Sequence, residues 1–180
     1  SSLIGFKGSS DPKNRIINTI VYEYLTSRDQ SGPILQNPSG DMSGQAGGMD
    51  WYYIHTYYQS WQHWGMSICN PHTLSPLYNE EPTLTMPNQR LRSHHIGFDG
   101  QPTNTLHYRF MGSWSKHWGS LEDPLPTPLT QLSLMGELTY SPLKWRGWQF
   151  TGALALDRSL LIGNNFGGMI TIRKIGKIKD

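Results

Sequence analysis

The sequence predicts an all-β fold, an antiparallel meander that forms the C-terminal segment of a transmembrane outer-membrane β-barrel with one long external loop. Three observations carry this. Polar and apolar residues alternate with period two over several ten- to fifteen-residue stretches, aromatic residues gather near the ends of those stretches, and short and long connections succeed each other along the chain. The clearest stretch is Asn104 to Trp118. Leu106, Tyr108, Phe110, Trp114 and Trp118 fall on even positions, and Thr105, His107, Arg109, Ser113, Ser115 and His117 on odd ones.

The elements follow in order. Ser2 to Lys7 reads as a strand, and 8–14 as a turn cluster of Gly, Ser, Asp, Pro and Asn. Arg15 to Ser27 is rich in Ile, Val, Thr and Tyr and reads as a second strand, although Ile16, Ile17, Ile20 and Val21 occupy both faces. Residues 28–89 form one long, irregular, partly structured excursion, far beyond an ordinary connection. Strands then resume at 89–99, 104–118, 129–141, 147–157 and 165–174, with turns at 100–103, 119–128, 142–146 and 158–164. In an outer-membrane barrel the short turns face the periplasm and the long loops the exterior, which puts 28–89 outside the cell. The whole chain, 1–180, is read as part of a single barrel domain. It opens on Ser1 without an initiator Met or a signal peptide and is expected to be the C-terminal portion of a longer protein.

Composition narrows the function. A formal net charge of +2 gives no electrostatic footprint for nucleic acid. One cysteine, Cys69, excludes an internal disulfide and a multi-cysteine metal site. The adjacent pair His94 and His95 sits in a strand, where neighbours point to opposite faces and cannot share an ion. No nucleophile elbow or paired acid and base motif is present, so no enzyme, catalytic residue, metal or cofactor is expected.

A soluble up-and-down barrel has the same period with its apolar face turned inward. The wet face of these strands favours the membrane: His107, Arg109, Glu137, Gln149, Asp157 and Arg173 among small residues suit a polar lumen, and Tyr140, Trp148, Trp114 and Trp118 suit the bilayer interfaces. A porin or uptake channel with an aromatic plug loop is the other alternative. Counting outward from the turns pairs Arg109 with Glu137 on the polar face and Tyr140 with Trp148 on the apolar one.

Within the long loop, 50–64 carries the densest aromatic cluster in the chain. Trp51, Tyr52, Tyr57, Tyr58, Trp61 and Trp64 offer flat faces for saccharide rings, with Gln59 and His63 as hydrogen-bonding neighbours. The competing reading of each ring is a core that holds the loop together.

The motifs Tyr58-Gln59-Ser60-Trp61, Gly65-Met66-Ser67-Ile68-Cys69-Asn70-Pro71, Arg90-Leu91-Arg92-Ser93-His94-His95-Ile96-Gly97, Tyr108-Arg109, Trp118-Gly119 and Asn164-Asn165-Phe166-Gly167, closing on Ile172-Arg173-Lys174, resemble in order and spacing the C-terminal part of the capsule assembly Wzi family as it occurs in Bacteroidetes. The resemblance implies an outer-membrane barrel that anchors or organises capsular polysaccharide at the surface of a Gram-negative cell, lectin-like and without catalysis. Its implied partners are that polysaccharide, outer-membrane lipid and the barrel assembly machinery. The chain departs from many outer-membrane proteins by running through 175–180 to Asp180 instead of stopping at an aromatic residue.

Overall fold

The computed structural model describes residues 2–7, 15–28, 61–68, 71–79, 84, 86–121 and 123–176. It is all-β. Seven strands form one sheet: β1 (Ser2–Lys7), β2 (Arg15–Thr26), β5 (Leu91–Thr103), β6 (Leu106–Gly119), β7 (Pro124–Tyr140), β8 (Trp148–Ser159) and β9 (Asn165–Lys174). They neighbour one another in that order, as a meander does, and β3 (Gln62–His63) and β4 (Met66–Ser67) make a separate two-stranded sheet. Among the described residues no pairing joins β1 to β9, so the sheet is open and not closed into a barrel.

The register fixes the faces. Tyr140 lies opposite Phe150, Leu138 opposite Gly152 and Leu134 opposite Leu156 across β7 and β8, while Phe150 faces Ile172 and Leu156 faces Phe166 across β8 and β9. Even residues therefore meet even residues. The expected pairing of Tyr140 with Trp148 is corrected by two positions: Trp148 lies opposite Lys174, whose Nζ stands 5.2 Å from its ring centre. The cause is the turn, in which Trp145 N–H donates to Pro142 O and Trp148 N–H to Trp145 O, moving its centre one residue along. A shift of two preserves the face. Tyr140 is exposed and Trp148 half-buried.

Strand limits also differ from expectation. β7 begins at Pro124, inside the stretch read as a loop. Pro124, Pro126 and Pro128 sit at alternate positions, so their missing donors fall on one side of the strand. Pairing with β8 starts only at Gln131, which leaves one side of 124–130 without that partner. β5 runs through Gly100 and Pro102 to Thr103, where a turn was expected, and the turn to β6 is only Asn104 and Thr105. Gly100 is a close-approach residue, since a Cβ there would overlap the Ile16 carbonyl oxygen, which also accepts from the Tyr108 hydroxyl. Gly100→Ala is expected to destabilise the protein by about 3 kcal/mol, read from denaturant unfolding followed by tryptophan emission.

The chain divides into two compact units. The first comprises Ser1–Tyr24, His94–Trp114 and Gln131–Asp180. Its even face is apolar and open: Ile96, Leu138, Leu154, Phe166, Ile170 and Ile172 are all exposed, Ile170 by 85%. Phe98 and Phe110 pack at 5.1 Å between ring centres, and a groove of about 820 Å3 lies over Gly136, Gly152 and Gly168, which have no side chains to fill it. The odd face carries polar rungs: Arg109 and Glu137 at 4.0 Å, His107 and Asp99 at 3.9 Å, His95 Nδ1 and Ser113 Oγ at 2.7 Å, and the hydroxyls of Thr139 and Thr151 at 2.9 Å. The Arg109–Glu137 pair is the one the sequence count anticipates. At this distance and exposure it contributes at most about 1 kcal/mol.

The second unit comprises Leu25–Ser93 and Ser115–Thr130. Among its described residues the buried side chains are largely polar. Ser27, Thr73, Ser75, Asn88, Gln89, Ser93, Ser115, His117 and Ser120 are buried, against Met86 and Leu91 among the apolar side chains. Most buried polar groups are hydrogen-bonded. Ser27 Oγ accepts from Leu91 N–H, and Asn88 and Ser115 both hold His117.

Candidate functional site

The aromatic loop segment divides at the edge of the described residues. Trp51, Tyr52, Tyr57, Tyr58 and Gln59 lie outside them, and Trp61, His63 and Trp64 lie within. These three are brought together on the β3–β4 hairpin, where Gln62 pairs with Ser67 and His63 with Met66. Only Trp64 and Gly65 remain for the turn, and both have positive φ, 52° and 79°. A two-residue hairpin of this kind demands that conformation, which glycine adopts freely and tryptophan does not.

Specific bonds hold the strained turn. Gly65 N–H donates to Gln62 Oε1 at 2.7 Å, and Gly65 O accepts from Leu77 N–H at 2.9 Å, in the 3-10 turn Pro76–Tyr78. Ile68 N–H donates to Trp61 O, Ser67 N–H donates to Ser75 Oγ at 3.0 Å, and the Ser67 and Thr73 hydroxyls meet at 2.9 Å. The polar side of the hairpin, Gln62 and Ser67, is thereby tied down. Its other side presents Trp61, His63, Met66 and Ile68, all exposed, with Trp64 at the tip 87% exposed and the His63 ring edge-on to it at 6.2 Å.

Among the described residues nothing packs on the apolar side of the hairpin. A bulky residue held at positive φ is strained by about 1–3 kcal/mol. Trp64→Asn, which suits the turn, is therefore expected to stabilise the hairpin by about 1 kcal/mol, seen as slower amide exchange at Gly65 and Ile68. A faster exchange would show that the indole ring itself holds the turn. Met66 and Ile68 complete the patch and were not singled out from the sequence. The strands of the hairpin are two residues long, too short to show a period.

His94 and His95 have separate partners. His94 Nδ1 lies 2.7 Å from the Tyr22 hydroxyl, and its ring packs against Tyr24 and Trp114, while His95 meets Ser113. Among the described residues no three His, Cys, Asp or Glu side chains are placed to hold a metal ion. His117 is buried in the second unit. Gly119 N–H donates to Asn88 Oδ1, which leaves Asn88 Nδ2 to donate to His117 Nδ1 at 2.6 Å. The imidazole is therefore protonated on Nε2, and it donates to Ser115 Oγ at 2.7 Å.

Comparison with protein-family models, with curated proteins and with solved structures gives no match.

Proposed function

We propose that the sheet is part of a transmembrane outer-membrane β-barrel that holds capsular polysaccharide at the cell surface through the aromatic hairpin, without catalysis. The observation that carries the binding role is the exposed platform of Trp61, His63 and Trp64 on a strained, hydrogen-bonded turn. Flat indole faces stack on the C–H faces of sugar rings, and the imidazole supplies a hydrogen bond to hydroxyls.

The membrane role is supported by the inverted faces. Ile170, Phe166, Leu154 and Ile172 are exposed on one side of the sheet, where a water-soluble domain would bury them. Strands of ten to seventeen residues meet or exceed the roughly ten needed to cross a bilayer. Tyr140, Trp145 and Trp148 cluster at the β7–β8 turn and Trp114 stands toward the far end of β6, as aromatic belts do. In this reading the membrane-spanning part of β6 ends at Trp114. The resemblance to the capsule assembly Wzi family points to the same function and localisation.

The test is the double variant Trp61→Ala/Trp64→Ala in cells whose barrel assembly is verified by surface protease protection. Each ring contributes about 1 kcal/mol to a stacked contact, and a polymer touching several rings multiplies their effects. One substitution should weaken retention modestly, and both together should release capsular polysaccharide into the medium. Unchanged retention in an assembled double variant would refute the binding role of the hairpin.

A further inference from the structure

The β3–β4 hairpin carries more than flat rings. His63 and Met66 are partners across its two strands, and Ile68 N–H donates to Trp61 O, which makes Trp61 and Ile68 partners two residues farther along. Residues two apart on a strand share a face, so these four side chains stand on one side of the hairpin and Gln62 and Ser67 on the other. The latter pair is engaged there, since Gln62 Oε1 accepts from Gly65 N–H and the Ser67 hydroxyl meets that of Thr73. On the outward side Trp61, His63, Met66 and Ile68 are all exposed, Ile68 by 63%.

That arrangement selects among sugars. Side chains directly opposite on antiparallel strands have Cβ atoms about 5 Å apart, so a sugar ring lying on the Trp61 indole also reaches Ile68, and its substituents meet Met66 and His63. A hydroxyl laid on Ile68 or Met66 loses water without gaining a hydrogen bond. A methyl group there gains by leaving water, by about fourfold in affinity when fully buried. The imidazole opposite Met66 offers a ring N–H to an acceptor beside that methyl. The acetamido group of an amino sugar joins both features, an amide oxygen and a methyl on one carbon.

We propose that the hairpin recognises N-acetylhexosamine units of the capsular polysaccharide. The sugar ring stacks on Trp61, the acetyl methyl lies on Met66 and Ile68, and His63 donates to the amide oxygen. Trp64 at the tip, 87% exposed, gives the next sugar of the chain a second ring to stack on. A polymer that repeats the unit gains from several such contacts at once. The proposal deepens the saccharide-binding reading of the hairpin and rests on it.

The test titrates the full chain, in micelles of the sugar-free detergent lauryldimethylamine oxide, with tri-N-acetylchitotriose and separately with cellotriose, followed by saturation-transfer NMR. The two sugars share their linkage and differ only in an acetamido group in place of a hydroxyl on each ring. The acetylated sugar is expected to bind about tenfold more tightly, with the strongest saturation at its acetyl methyl protons. Met66→Ser and Ile68→Ser should each cut that preference about threefold, whereas Met66→Leu keeps an apolar surface and most of the preference. The comparison of the two sugars uses the unaltered protein, so it decides the matter even where a variant misfolds. Equal binding of both, or saturation confined to the ring protons, would overturn the acetamido preference and leave the stacking role of Trp61 and Trp64 standing. Binding of neither would overturn it as well, and the stacking role falls with it only if Trp61→Ala/Trp64→Ala also leaves capsule retention unchanged. Capsular material released by that double variant should contain N-acetylhexosamine, and material without it would refute the assignment.

Discussion

Ile170→Arg is expected to lower the stability of the assembled protein by about 2–4 kcal/mol in a bilayer. Ile170 lies midway along β9, faces Gly152 of β8 and is 85% exposed. In water so exposed a position tolerates charge, and an Arg would change stability by no more than about 0.5 kcal/mol. In hydrocarbon the guanidinium must be desolvated or drag water and headgroups inward. The same exposure therefore gives opposite outcomes in the two solvents. Urea unfolding in phosphatidylcholine vesicles, compared between the wild type and Ile170→Arg, reads the difference. Phe110→Arg should behave alike, although Phe110 is half-covered and part of its loss would come from the contact with Phe98. Equal stability of both variants and the wild type would rule out lipid against this face.

Much of the fold was legible because alternation is a geometric property of the strand itself. Ser2–Lys7 and Asn165–Lys174 match the strands read from the sequence, and even parity holds from β7 to β9. What escaped depends on contacts distant in the chain. Gly100 and Pro102 look like turn residues, but Gly100 sits inside β5 because the Ile16 carbonyl leaves no room for a side chain. The prolines of 124–128 look like a loop, and extended structure accommodates them because their absent donors all fall on one side.

The candidate site was legible in composition and not in shape. Trp61, His63 and Trp64 stood out as aromatic and polar neighbours, but two-residue strands have no periodicity to read. A turn at Trp64-Gly65 has no turn signature at its first residue, since Asn, Asp or Gly is the usual choice. His117 was read as one more residue of a polar face. Its burial follows from Asn88, 29 positions earlier, whose orientation Gly119 fixes.

That buried histidine makes the second unit acid-sensitive. Burial, and secondarily the neighbouring His72, lower the His117 pKa from the ordinary 6.5 to about 4. The hydrogen bonds act in the same direction, because Nδ1 accepts from Asn88 and a proton there would face the amide donor. The unfolded chain takes up a proton near pH 6.5, whereas the folded one does so only near pH 4. Stability from this group is therefore complete above about pH 6.5, declines as pH falls toward 4 and is level below that. The full difference is about 3 kcal/mol. Amide exchange at Trp118 and Gly119, followed between pH 7 and 4 and corrected for its intrinsic pH dependence, should show the loss of protection. His117→Gln keeps an acceptor for Asn88 and a donor for Ser115 but does not titrate, so its profile should be flat across this window. A wild-type profile as flat as that of the variant would show that the folded imidazole takes up its proton at the same pH as the unfolded one, against the bonding pattern of Asn88.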